Sequence, residues 1–343
     1  MVMPHDVSVL VTAYNQNSTL EIVLKKLLQQ DFQGSWEIIV CDDGSDEDTL
    51  SIVKHISRTT GPPIRYVWQS RNGERRARSR NNGLRLATGR IVIFVDGDIA
   101  VKQDFISAHV ACHTGGRTAV CGSRYWIFMD DYPSKPQLES AIESLMLKNA
   151  ELLSLYTEIW FQKQYADSQP WATCLGGNFS FSRDQEAIFF DERFVGWGAE
   201  DQEFACRLLR RHHYALRFDP SLFGFHLDQG KSSGHTKVRP RSPAEIEDYL
   251  RNIVYFCGQY PDEQELYPAC IGIGHFELDP SRNIWQSAKE PRFSKKHIRY
   301  LLLTAQEWLA AGKSLKLASG GCQRKDQQSQ HPGSGCDRSP DTA

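Results

Sequence analysis

The sequence predicts an α/β fold, a mostly parallel sheet flanked by helices, and two observations carry that reading. From Val7 onward, short apolar runs alternate with amphipathic ones, the pattern of strands buried on both faces and joined by crossover helices. The segments after those runs are polar and acidic: Tyr14-Asn15, Asp42-Asp43-Gly44-Ser45 and Asp96-Gly97-Asp98. In open parallel sheets ligands lie beyond the carboxyl ends of the strands, so these segments mark where a ligand would bind.

In chain order, a strand is expected at Val7 to Ala13, a helix near Ser18 to Gln30 and a strand at Glu37 to Cys41. A helix from Asp46, a strand at Ile64 to Trp68, a helix near Arg75 to Ala87 and a strand at Ile91 to Val95 follow. Pro136 to Gln164 reads as helical and Leu175 to Ser182 as extended. The turn Gly196-Trp197-Gly198 precedes a helix from about Asp201 to Arg211, with Phe204 and Leu208 on its apolar stripe. Beyond His226 the signals weaken to helices at Pro243 to Cys257 and Lys295 to Ala311, a helical C-terminal extension. From Ser319 to Ala343 there is almost nothing to bury, and disorder is expected. The divisions expected are 1–112 and 113–240 as two halves of one domain, 241–318 as the extension and 319–343 as a tail.

Composition limits the partners. With 343 residues and 40% hydrophobic content the chain can bury one large core or a core plus a small lobe. Lys+Arg 40 against Asp+Glu 42 leaves a formal charge of -2, which supplies no global field for nucleic acid or an anionic membrane. Nine cysteines without a Cys-x-x-Cys pair favour a reduced, cytoplasmic chain over a disulfide framework or zinc site. No signal-like start and no run of about 20 apolar residues is found, so no integral membrane segment is expected, and peripheral attachment stays open. The absence of Gly-x-Gly-x-x-Gly after the first strand argues against a dinucleotide-dependent dehydrogenase.

Several constellations carry chemistry. Asp96 and Asp98, at i and i+2 after the strongest strand, suit a hard cation bridging to phosphate, although one Asp-x-Asp arises by chance in a chain of roughly this length. Asp43 either shapes a turn or accepts a ring N–H, and Asp46 caps the following helix. Seven arginines lie between Arg71 and Arg90; a solvated helix face accounts for most, and one or two would reach a diphosphate. Glu200 and Asp201 sit at a helix start, where the dipole favours the ionised form that a general base needs. Trp197 offers an aromatic plane to a sugar, and His226 is either structural or a metal ligand.

The ordered series Thr12-Ala13-Tyr14-Asn15, Asp42-Asp43-Gly44-Ser45, Arg80-Asn81-Asn82-Gly83, Ala87-Thr88-Gly89 and Asp96-Gly97-Asp98 resembles the nucleotide-sugar half of family 2 glycosyltransferases with the GT-A (Rossmann-like) fold. A second run, from Gly176-Gly177-Asn178 to Gly196-Trp197-Gly198-Ala199-Glu200-Asp201, is similar to the acceptor-side segment of beta-1,4-galactosyltransferases, chondroitin-type polymerases and polypeptide N-acetylgalactosaminyltransferases. The resemblance implies a UDP-sugar donor bound by Ala13, Tyr14, Asn15, Asp43, Arg80, Asp96, Gly177 and Trp197. It implies Asp98, His226 and Asp96 as ligands of Mn2+, with Mg2+ the alternative, Asp201 as catalytic base and Glu200 beside it placing the sugars. Asp-Gly-Asp and Glu200-Asp201, where the retaining polypeptide transferases carry Asp-x-His and Glu-Asn, favour inversion. A retaining transferase and a catalytically silent nucleotide-sugar or glycan-binding protein are the alternatives. The acceptor, whether glycan, lipid, peptide or small molecule, is not legible.

Overall fold

The computed structural model describes residues 5–59, 61–146, 167–174, 176–184, 186–228, 241–260 and 271–312. All seven residues of β1 (Val7–Ala13) are buried, so this strand needs a neighbour on each edge and cover on each face. β2 (Trp36–Asp42) and β4 (Ile91–Asp96) pair parallel to it on either side, and β3 (Ile64–Trp68) pairs parallel to β2. The crossovers are α1 (Asn17–Leu28), α2 (Glu47–Ile56) and α3 (Arg76–Leu86). Because side chains alternate along a strand, Val7, Val9 and Val11 join Leu20, Leu24 and Val53 of α1 and α2 on one face. Leu10 points to the other, with Ala77 and Leu84 of α3. The reversal of strand order falls between β1 and β4, the usual place for a ligand crevice.

The sheet continues beyond β4 with mixed direction. β7 (Asn178–Ser182) runs antiparallel to β4, and β6 (Thr118–Phe128) runs antiparallel to β7 and parallel to β8 (Ala215–Asp228). β5 (Ile99–Val101), only three residues long, pairs antiparallel with β8. The full order is β3-β2-β1-β4-β7-β6-β8-β5. α4 (Phe105–Ala111) and α5 (Lys135–Met146) follow β5 and β6 in sequence, and α6 (Glu200–Arg210) follows the glycine-tryptophan turn. α7 (Pro243–Gln259), started by a capping box between Ser242 and Glu245, packs with α8 (Lys295–Ala310) and the hairpin β9 (Phe276–Asp279) and β10 (Ile284–Ser287) onto the α3 and α6 side of the core.

The predicted elements lie within a few residues of these bounds. Leu175, 147–164 of the predicted helix, and the tail from Ser319 fall outside the described residues. One expectation is corrected: Asp46 occupies the N-cap of α2 but its side chain makes no cap bond. Its own N–H is instead taken by Asn15 Oδ1 at 3.0 Å. Cys41, Cys112, Cys121, Cys174, Cys206 and Cys257 are buried and form no disulfide. No helix among the described residues is long and apolar enough to cross a membrane.

Candidate active site

The loops after β1 and β2 form one wall of the crevice. Ala13 is buried at the strand end, while Tyr14 projects outward and is 40% exposed. Asn15 adopts φ 47°, and its backbone N–H donates to Ser45 Oγ at 2.9 Å, so this residue ties the first loop to the start of α2. Asp43 is buried and accepts from Gln69 Nε2 at 2.6 Å, the Arg75 N–H at 2.8 Å and Arg71 Nη1 at 2.5 Å. The Arg71 guanidinium also lies over the Tyr14 ring, 3.6 Å from its centroid. Gly44, at φ +89°, permits this closure, since a Cβ there would meet Arg71 backbone atoms at 2.6 Å.

Asp96 ends β4 and Asp98 lies just beyond it, but the two do not share partners. Asp96 Oδ1 accepts from Arg80 Nη2 at 3.2 Å. Asp98 Oδ2 accepts from Gln16 Nε2 at 2.6 Å and stands 3.5 Å from His226 Nε2. The pairing of β5 with β8 sets Ile99 opposite His226, and the Leu227 N–H donates to the Asp98 carbonyl at 2.8 Å, which brings imidazole and carboxylate together. Burial pushes the Asp98 carboxyl upward, but His226 beside it, with Arg124 and Arg76, holds it below its ordinary value. Among the described residues no group of three His, Cys, Asp or Glu side chains is gathered for a metal, so the three expected ligands resolve into a pair, Asp98 and His226, with Asp96 turned to Arg80. The pair fits a cation in one respect that can be checked: Asp98 Oδ1 is buried and has no hydrogen-bond partner. One carboxylate oxygen and one imidazole nitrogen would suit a divalent cation that accepts both ligand types.

Arg80 joins this wall to the other. It is 2% exposed and bridges Asp96 and Glu200, with Nη1 at 2.8 Å from Glu200 Oε1. Two carboxylates around one buried guanidinium offset its desolvation, and Arg80 and Arg76 keep Glu200 below its ordinary value against the effect of burial. Arg80 is therefore an exception to the solvated face expected for most of the seven arginines, whereas Arg71 is exposed although paired with Asp43. Arg76 is part exposed and paired with Glu74.

Asp201 follows Glu200 at the start of α6. Its Oδ2 accepts the Gly176 N–H at 2.7 Å and its Oδ1 the Gln202 N–H at 2.8 Å. Its carboxyl is pushed up to about 6 by burial first and then by Glu200, which outweigh Arg80 and the two N–H donors. The helix dipole was expected to favour ionisation; burial against a like charge reverses the direction. Gly176 and Gly177 floor the site without side chains. A Cβ on Gly176 would come within 2.6 Å of Arg80 Nη2, and one on Gly177 within 2.7 Å of Asp96 Oδ2. The turn before α6 is conformationally demanding: Gly196, Gly198 and Ala199 have φ of 81°, 94° and 75°. Trp197 is packed by Tyr249, Phe276 and the Arg241 guanidinium, and its carbonyl and that of Gly198 accept from Asn252. The ring expected to stack on a sugar thus holds the turn against α7.

Sequence reasoning missed Gln16, which bears on Asp98, and Gly176, which bears on Asp201. Gly176 lies in the Gly176-Gly177-Asn178 run, which gave it no role of its own, and no local signal marks Gln16; each acts through a residue distant in sequence.

Residues 8–185 match the family described as glycosyl transferase family 2, and residues 161–226 match the N-terminal domain of galactosyltransferase. A hyaluronan synthase of Pasteurella multocida is 31% identical over 224 residues, which are 59% of this chain and 22% of that protein. A chondroitin synthase of Escherichia coli is 28% identical over 267 residues, 73% of this chain and 38% of that protein. The chain thus spans well under half the length of these two relatives. In structure it is similar to S. aureus TarS 1-349 in complex with UDP-GlcNAc, with a TM-score of 0.50 at 18% identity over 89% of this chain and 81% of that one. That likeness bears on the fold, which is GT-A.

Proposed function

Since the chain belongs to glycosyl transferase family 2 and is a glycosyltransferase, we propose that it transfers a hexose or N-acetylhexosamine from a UDP-sugar to an acceptor hydroxyl with inversion. The reading assigns 1–112 to the nucleotide-sugar half and 113–240 to the acceptor half. The observation that carries it is the buried Arg80 strut, which ties Asp96 to Glu200 and so makes one site of two motifs far apart in sequence. Tyr14 and Asp43 would receive the base. Arg76, which acts electrostatically on Asp98 and Glu200, would meet the diphosphate. Asp98 and His226 would hold a divalent cation, whose charge offsets that of the departing UDP. Asp201, with a carboxyl near 6, is poised to be ionised at neutral pH and yet basic enough to take the proton of an acceptor hydroxyl. Glu200, held ionised by Arg80, keeps Asp201 basic.

A panel of UDP-sugars with manganese and candidate acceptors, read by UDP release and mass spectrometry of products, tests the reading. Inverted stereochemistry at the new bond is expected. Retained stereochemistry, or no turnover with any UDP-sugar while another nucleotide-sugar is used, would overturn it.

A further inference from the structure

Arg71 meets both groups that would receive the base, and it meets them as a base would. Its planar guanidinium lies 3.6 Å over the Tyr14 ring, and its Nη1 donates to Asp43 Oδ2 and to the Asp43 carbonyl at 3.2 Å. A nucleobase with an edge N–H offers the same two features, a flat face and a donor. We propose that Arg71 sets the donor affinity of this site as an internal competitor, occupying the base position until a nucleotide displaces it. The inference rests on the reading of Tyr14 and Asp43 as the base pocket and adds a residue that the reading does not use.

Three further observations shape the competition. The Arg71 backbone is pressed against Gly44, with no room even for a Cβ between them. Displacement is therefore a swing of the side chain, which is 30% exposed, rather than a retreat of the loop. Asp43 also keeps Gln69 and the Arg75 N–H when Arg71 leaves, so the carboxylate stays in place while it changes one donor. The exchange is matched only if the incoming ring returns an N–H. Uracil, with N3–H, does so; cytosine has an acceptor at N3, and its nearest donor, the 4-amino group, lies one position along the edge, so the exchange is mismatched there.

The experiment measures uridine, UDP and CDP binding to the parent protein, Arg71→Ala and Arg71→Gln by calorimetry with manganese present. Uridine separates the base position from the phosphates, where loss of a positive charge would act on its own. The proposal expects uridine to bind about tenfold tighter to Arg71→Ala, the span of a part-buried cation–π contact that no longer has to be broken. Arg71→Gln, which keeps an N–H for Asp43 but loses the charge and part of the stack, should fall between and guards against a variant that does not fold. Weaker or unchanged uridine binding in both variants overturns the proposal, since Arg71 would then be a ligand of the nucleotide or a bystander. If the parent binds CDP as well as UDP, or binds neither, the base-pocket reading itself fails, and the inference with it.

Discussion

Glu200→Gln separates the electrostatic role of Glu200 from any contact it makes with a sugar. Asp201 titrates near 6 because it is buried and because Glu200 is ionised beside it. Gln keeps the shape and still accepts from Arg80 Nη1, now at 2.8 Å from Glu200 Oε1, but removes the like charge and leaves the attraction of Arg80 for Asp201 unopposed. The Asp201 pKa should then fall toward its ordinary 3.8. At pH 5 a carboxyl with a pKa of about 6 is only about one-tenth ionised, whereas one with a pKa below about 5 is at least half ionised. The parent should therefore lose about 90% of its plateau rate at pH 5, and the variant less than about half of its own plateau. The assay is the pH profile of kcat/KM for UDP release, each protein scaled to its own plateau so that a lower absolute rate does not matter. The stability sign agrees: a carboxyl raised in the folded state favours folding below about 4, and that contribution is lost as pH rises through about 6. Thermal melts should show the parent gaining stability between pH 7 and pH 5 relative to the variant. An acid limb that stays put, or moves to higher pH, would refute the assignment of both residues.

Arg80→Ala leaves Asp96 and Glu200 facing each other without their buried cation, and a loss of about 3–5 kcal/mol in denaturant unfolding is expected; Arg80→Lys, unable to span both carboxylates, should recover only part. Asp98→Ala should abolish the manganese-dependent part of UDP binding in calorimetry while leaving metal-free binding in place, and equal manganese dependence in parent and variant would remove Asp98 from the cation site. Ala199→Gly should raise stability by about 1 kcal/mol in chemical denaturation, because Ala199 is held at φ 75°. Gly196→Ala at φ 81°, where a Cβ would meet Asp248 at 2.3 Å, should do the reverse.

The parallel half of the sheet was legible because its signals are local. β1, β3 and β4 are apolar runs bounded by polar turns, and their helices carry their own periodicity. The other half was hidden: β5 is three residues long, and β6, held between β7 and β8 on its two edges, is buried without a break from Ala119 to Ser123 and alternates only beyond, so no single period marks it. The candidate site divides in the same way. Asp96, Asp98, Glu200 and Asp201 could be picked out by type and spacing. Arg80 was singled out only through the resemblance of Arg80-Asn81-Asn82-Gly83, and its role as a buried strut was not legible, because that burial depends on carboxylates supplied by two remote segments. The direction of the Asp201 shift was likewise unreadable, since a helix start argues for a lower pKa and only the packed structure reveals the burial and the neighbour that raise it.

The short β5 has a consequence for how the molecule comes to be made. Among the described residues its only strand partner is β8, so the Asp98 and His226 pair cannot exist until a segment more than a third of the chain away has docked. Contacts of such long range form late, because the entropy of closing the intervening loop must be overcome before they contribute. A chain emerging during synthesis would have its base pocket walls, built from β1, β2 and β4, long before it had this pair. Folding intermediates would then recognise a nucleoside yet lack the pair meant to hold a cation beside its phosphates, and acquiring that pair would mark the end of folding rather than its beginning.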